Sequence, residues 1–426
     1  MNRELVDSGV EWIGKIPSNW EIRKLSSIAK RITDYVASGS FATIKKNVTY
    51  LDKPDYAMLI RTADLSQKTN KEPVYINKHS YEFLSNSNLF GGELILPNIG
   101  SVGEVYYYEP IYERASLAPN AILVDMKGSN RFYYYFFKNP LIGDALKNLG
   151  NDSVQAKFNK TQLRQLKVLN PPFEEQQKIA QFLDEKVFQI DSLIQKTRQS
   201  IEELKAYRQA LTTETVTKGL DPKVEMKNSK IDWFGQFPKH WKEVKLKYLV
   251  ELRNEKSVYK KGEIYIGLEN IEGFSGKINS VNNDYEESMT DVFKKGDVLF
   301  NKLRPYLTKA FVAEFDGFCS GELLVFKKFL GERRFLLYYL LSKKFIEYVT
   351  SSTYGTKMPR ANWDFIKELP IFLPDIMEQK QIVEYLDEKI NHIEKLINMK
   401  EELIREMELY KKSFIYEYVT GKKEVM

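Results

Sequence analysis

The sequence predicts an α/β (α+β) protein: two globular mixed α/β domains joined by two long helices that pair as an antiparallel coiled coil. An internal repeat relates the halves around an approximate twofold axis. Three observations carry this reading. Two segments keep heptad spacing over about four heptads. The second segment copies the first at an offset of 203 residues. A tryptophan-containing motif is also duplicated, at an offset of 221.

The first helix is predicted over Glu174–Lys218. Its seam is Leu183, Val187, Ile190, Ile194, Thr197, Ile201, Leu204, Arg208 and Leu211. At 1.5 Å per residue such a helix is roughly 65 Å long, more than a compact domain needs, so it reads as a spacer. The second seam is Leu386, Ile390, Ile393, Ile397, Lys400, Ile404, Met407, Lys411 and Phe414. Every apolar position stays apolar, and both polar interruptions recur, Thr197 as Lys400 and Arg208 as Lys411. Polar seam residues weaken packing but can fix register. The helix entries recur as well, with Glu175-Gln176 returning as Glu378-Gln379.

The shorter motif is Trp12-Ile13-Gly14-Lys15-Ile16-Pro17 followed by Trp20, and it returns as Trp233-Phe234-Gly235-Gln236-Phe237-Pro238 followed by Trp241. Because the two offsets differ by 18, the segment between motif and helix is 18 residues longer in the first copy. The order is therefore residues 1–173 (motif and first middle), 174–219 (first helix), 220–376 (second motif and middle) and 377–426 (second helix). Ends that match around middles that diverge suit a shared scaffold carrying two different readers.

Each middle reads as mixed α/β. Short strands are predicted at Ala57–Ile60, Glu93–Pro97, Gly103–Tyr108 and Ala121–Asp125, and again at Glu263–Leu268, Asp297–Asn301, Lys309–Phe315 and Glu322–Lys327. Two weaker correspondences link the middles, Asp64-Leu65 with Asn270-Ile271 and Gly92-Glu93-Leu94-Ile95 with Gly296-Asp297-Val298-Leu299. Aromatic helices follow at Arg131–Lys138 and Glu332–Leu341, whose rings are expected in the core.

Composition bounds the function. Of 426 residues 43% are hydrophobic, enough for real cores. No run reaches the eighteen or so apolar residues of a membrane span. The N-terminal stretch is polar and acidic, and Cys319 is the single cysteine, so a reducing cytoplasm is expected. Three scattered histidines offer no evident metal site. The net charge is +6, yet each long helix segment is slightly acidic, so the positive excess resides in the globular parts. That points to a polyanion partner.

The residues expected to touch nucleic acid lie in loops. In the first middle they are Lys45, Lys46, Arg61 and Lys68 for phosphates, Asn98 and Ser101 in a glycine-rich loop, and Gln155, Lys157 and Asn159 before the long helix. In the second they are Asn301, Lys302, Arg304, Tyr306 and Lys309, with Tyr354, Thr356, Lys357, Arg360 and Asn362 before the second helix. Amides, hydroxyls and cations in that mixture can bond base edges and phosphates. A solvated connector is the plain alternative for each.

Two catalytic patterns do not hold together. Asn170-Pro171-Pro172-Phe173 matches the tetrapeptide of DNA amino-methyltransferases. However, it is not duplicated and no glycine-rich cofactor turn accompanies it. Pro374-Asp375 with Asp387-Glu388-Lys389 imitates a nuclease pattern, but the second part lies inside the heptad helix, away from the adjacent strands a shared metal needs.

On the duplicated Trp-Ile-Gly-x-x-Pro-x-x-Trp motif, on Pro172-x-x-Glu175-Gln176 and Pro374-x-x-x-Glu378-Gln379, and on the order of variable and repeated regions, the chain resembles the specificity (S) subunit of type I restriction-modification enzymes. The resemblance implies that each middle is a target recognition domain reading one half of a split site in double-stranded DNA. It implies that the helices set the spacing and dock two modification subunits, which methylate adenine with S-adenosylmethionine. Restriction subunits would supply the ATP- and Mg-dependent translocase and nuclease. The chain itself would catalyse nothing and hold no cofactor. The alternatives are an orphan nucleic-acid-binding scaffold outside restriction, a fused methyltransferase and a pure coiled-coil assembly protein.

Overall fold

The computed structural model describes residues 4–66, 72–150, 156–229, 234–281, 284–355 and 357–425. The chain divides into two units, Met1–Lys196 with Leu403–Met426, and Thr197–Glu402. The boundaries thus fall within the two long helices, Phe173–Lys218 and Ile376–Val419, rather than at their ends. Each unit contains one motif, one middle and a stretch of each helix.

In the first unit, Leu183, Val187 and Ile194 of the first helix are buried on the seam side, with Ile190 half-buried. Phe182 packs on Phe414 and Tyr418 of the second helix, at ring separations of 5.8 and 4.8 Å. Further along, Asp191 is ion-paired with Lys411. As the number rises on one helix it falls on the other, so the pairing is antiparallel.

The second unit repeats the arrangement. Ile201, Leu386, Ile390, Ile393 and Ile397 are buried, and Leu204 is half-buried. In the first unit Ile404 and Met407 are likewise half-buried on the seam. In the second unit Arg208 is ion-paired with Glu394. The repeat offset carries Arg208 onto Lys411 and Asp191 onto Glu394, so the same interhelix ion pair occurs once in each unit. The predicted polar interruption at 208 and 411 is therefore a charged pair between the helices.

Duplicated joints fasten each middle to the helices. The Trp20 indole donates to Glu175 at 2.9 Å, and Trp241 donates to Glu378 at 3.1 Å. The buried Gln176 amide accepts from the Ser129 backbone and donates to the Pro171 carbonyl, as Gln379 does with Glu332 and Pro374. Arg131 and the Tyr135 hydroxyl both reach Asp184 at 2.6 Å, and Arg334 and Tyr338 meet Asp387 in the same way. Burial and its carboxylate partner push each tyrosine hydroxyl well above its ordinary pKa, keeping it a donor. Strand Glu21–Lys24 pairs with Lys167–Asn170, as Lys242–Lys245 pairs with Pro370–Leu373. Trp12 packs on the first core beside Phe136. Trp233 lies outside the described residues.

The two middles share a skeleton. In the first, Ala121–Met126 lies between Ala29–Asp34 and Leu94–Pro97, and the last pairs with Tyr106–Tyr107, all antiparallel. In the second, Leu323–Phe329 lies between Val250–Leu252 and Val298–Asn301, which pairs with Ala310–Val312. Each adds a parallel pair, Ala57–Ile60 with Ala115–Leu117 and Tyr265–Ile266 with Gly317–Cys319. The aromatic helices Asn130–Lys138 and Arg333–Leu341 bury Phe132, Phe136, Phe335 and Tyr339 in the respective cores.

Both weak sequence correspondences are structural. The Arg61 and Gly267 amides are capped at 2.8 Å by Asp64 and Asn270. Arg31 pairs with buried Glu93 at 3.2 Å, and Arg253 with buried Asp297 at 2.7 Å. The offset is 222 at Arg31/Arg253 and 206 at Asp64/Asn270. Most of the extra length of the first middle therefore lies between these points, in the segment holding the short helix Phe41–Asn47.

Candidate nucleic-acid interface

In the second unit, strand Val298–Asn301 runs into a loop that closes at strand Ala310–Val312. Lys302 and Arg304 in that loop bond through their backbones to Ala361 (2.9 Å) and Pro359 (2.7 Å) in the loop before the second helix. Leu303 forms a bridge with Arg360, and the Arg304 guanidinium donates to the Lys357 carbonyl at 3.3 Å. Two loops more than fifty residues apart in sequence thus make one platform. Tyr306, Tyr354 and Lys357 are exposed on it, and Lys302 is half-buried.

The first unit builds the same platform. The Asn98 carbonyl accepts from the Phe158 amide at 3.2 Å, and the Asn98 side chain donates back to the Phe158 carbonyl at 3.0 Å. Ile99 bridges Lys157. Ser101 and Lys157 are exposed. Gly100 and Gly103 take positive φ here, +85° and +95°, which glycine adopts without strain. Lys45 and Lys46 are exposed in the last turn of the short helix Phe41–Asn47.

Comparison with known proteins places this geometry in a family. The family model described as type I restriction modification DNA specificity domain matches residues 17–205 and 238–405, one copy per half. The chain belongs to the type I restriction modification DNA specificity family. Among curated relatives it is 28% identical over 97% of its length, and 96% of theirs, to the putative type I restriction enzyme MjaX specificity subunit of Methanocaldococcus jannaschii. It is 24% identical over 96% of its length, and 94% of theirs, to the MjaVIII specificity subunit of the same organism. Among solved structures, a chain from a study of complex assembly and conformational transition in the type I R-M system has a TM-score of 0.69 at 14% identity. That match covers 96% of this chain and all of that one. The HsdS subunit from Thermoanaerobacter tengcongensis has a TM-score of 0.54 at 14% identity, over 96% of this chain and 98% of that one.

For this specificity-family chain several residues expected to face nucleic acid have bonding partners within the chain. Asn301 is fully buried; its amide donates to the carbonyls of Leu303 and Arg304 and accepts from the Lys309 amide, so it shapes the loop instead of reading a base. Asn159 and Asn362 cap the short helices Lys160–Gln165 and Trp363–Ile366. The Asn159-x-x-Gln162 capping box was a local signal of that role. Arg61 is folded onto Asp64 and the Glu72 carbonyl, Lys309 onto the Leu268 carbonyl at 2.6 Å, and Arg360 onto Glu322 at 2.9 Å. Lys68, Gln155 and Thr356 lie outside the described residues.

The two catalytic patterns are structural as well. The Asn170 side chain accepts from the buried Tyr133 hydroxyl at 3.2 Å. Asp375 caps the second long helix through the Met377 and Glu378 amides, both at 2.9 Å. Among the described residues no group of three His, Cys, Asp or Glu side chains is placed to hold a metal ion. No described helix is long and apolar enough to cross a membrane.

Proposed function

We propose that this chain is the non-catalytic DNA-recognition subunit of a type I restriction-modification complex and that each unit reads one half of an asymmetric, two-part site in double-stranded DNA. The observation that carries this reading is the platform of two joined loops. It recurs in both units after the corresponding strand, with one matching backbone bond and one matching bridge, yet it presents Ser101 and Lys157 in one and Tyr306, Tyr354 and Lys357 in the other. A common frame with different exposed side chains suits two readers of different sequences. Two modest readers on one spacer gain affinity by effective concentration when the spacing matches the DNA.

In this reading the long helices hold two modification subunits. Those bind S-adenosylmethionine and methylate adenine, restriction subunits use ATP and Mg, and the assembly works in the cytoplasm. Co-expression with the modification subunit, followed by sequencing of host DNA for methyladenine, tests it. A two-part motif with a fixed gap that disappears when this chain is omitted is the expected result. No new methylation with both proteins soluble would favour the orphan scaffold, whose binding is salt-sensitive and weakly selective.

A further inference from the structure

Four described residues other than glycine have positive φ: Asn120, Phe274, Arg304 and Thr308. All four border the platforms. The Asn120 carbonyl accepts from Asn98 at 3.1 Å, and Phe274 donates to the Thr308 carbonyl at 2.8 Å. Arg304 and Thr308, both at φ +51°, bracket the single turn Pro305–Leu307. Left-handed backbone is unfavourable for a side chain with a Cβ, and such conformations persist where surrounding structure enforces them. The first unit turns its corresponding loop with glycine. The second keeps side chains at the strained positions, and both are engaged. The buried Thr308 hydroxyl donates to the Tyr306 carbonyl at 3.3 Å, and Arg304 ties the turn to the neighbouring loop. Buried Asn301 closes the turn from beneath. At the apex of this braced turn, Tyr306 is 46% exposed.

We infer that Tyr306 is a specificity-determining contact of the second unit, its ring stacking on a base of the half-site that unit reads, with Asn301 and Thr308 as positioning residues. This rests on the DNA-reading function proposed above. An aromatic side chain that stacks on or wedges against a base must resist being pushed aside, and a preformed turn loses no freedom on binding. A mobile loop carrying the same tyrosine would yield.

The test uses the purified complex with its modification subunits and a duplex carrying the methylation site mapped for the wild type. Tyr306→Ala should weaken binding roughly tenfold to a hundredfold, the scale of one base–aromatic stack. Tyr306→Phe should bind as wild type. On duplex with the second unit's half scrambled, wild type and Tyr306→Ala should bind alike. Tyr306→Ala binding like wild type, or Tyr306→Phe losing as much as Tyr306→Ala, overturns this inference alone. A wild-type complex that methylates no two-part motif overturns the parent reading with it.

Discussion

The duplicated interhelix ion pair gives a controlled comparison within one molecule. Arg208 and Glu394 expose 6% and 14% of their side chains, while Lys411 and Asp191 expose 21% and 49%. Two unit charges about 4 Å apart attract by about 4 kcal/mol at an effective dielectric of about 20. Removing Glu394 leaves the Arg208 guanidinium buried without its counter-ion. Its Nε already has no hydrogen-bond partner among the described residues. Lys277, which also reaches Glu394 at 3.4 Å, adds a second cation to the same place. Glu394→Ala should therefore cost about 3–5 kcal/mol, the usual consequence of breaking a buried pair. Asp191→Ala, at the matching repeat position, should cost about 0.2–1 kcal/mol. Helix propensity differs between the two changes by less than about 0.7 kcal/mol and cannot produce the gap.

A chain of two units need not unfold in one step, so a global midpoint is the wrong readout. Amide hydrogen exchange reports local opening instead. Protection across Ile201–Leu211 should fall by the stated amount in Glu394→Ala and little in Asp191→Ala. The double change Arg208→Leu with Glu394→Leu should return to within about 1 kcal/mol of wild type, because an apolar pair replaces both charges. Equal losses at 394 and 191, or a double variant as unstable as the sum of its single changes, would refute the reasoning.

Further expectations concern individual residues. Asn159→Ala and Asn362→Ala should each lower stability by about 1 kcal/mol through loss of a helix cap, while the methylated motif stays unchanged; a shifted motif would return these residues to base reading. Hydrogen bonds and attraction from Lys247 and Lys245 hold the Glu368 carboxylate down to about 2. Because its folded value lies below its unfolded one, its contribution is present above about pH 4.5 and is lost as pH falls toward 2; hydrogen-exchange protection of the strand Lys242–Lys245 across that window should show the loss, and Lys247→Ala should reduce it. Cys319 is buried and its thiol is pushed up to about 12 by desolvation, with nearby Asp291 and Asp297 adding to the effect. The folded chain should resist iodoacetamide at pH 8 and react only once unfolded, which mass spectrometry reads directly.

Much of the architecture was legible because it was written twice. Heptads, their polar breaks and the paired tryptophans gave helices, register and duplication, since a repeated irregularity has few other causes. Strands were legible where apolar runs ended at a turn. They shortened where backbone geometry intervened. The Gly103–Tyr108 run contracts to Tyr106–Tyr107 because Gly103 takes positive φ, with the Gly143 carbonyl 2.9 Å from where its Cβ would sit. Glu263–Leu268 stops at Ile266, where Asn270 caps a following turn. Within the candidate loops the sequence did not distinguish structural from exposed polar residues. The exposed Ser101, the helix-capping Asn159 and the buried, loop-bracing Asn301 are all small polar loop residues, and sequence alone does not separate their roles.

The side chains that recur between halves are those that join one element to another: indole to glutamate, glutamine to backbone, arginine and tyrosine to aspartate, cation to carboxylate across the seam. Each is partly or wholly buried, and each must match a partner fixed by the fold, so a change on one side leaves an unsatisfied group on the other. Among the described residues, Ser101, Tyr306 and Lys357 in the platform loops are exposed rather than held in such joints. The loops differ in charge, in aromatic content and in how the backbone turns, with glycine in one unit and braced left-handed residues in the other. The segment around Lys45 and Lys46 gives the first unit a basic helix for which the shorter second middle has little room. A scaffold constrained at its joints and open at its tips lets either tip change without disturbing the other. That is the physical requirement for two halves of a site to be read independently.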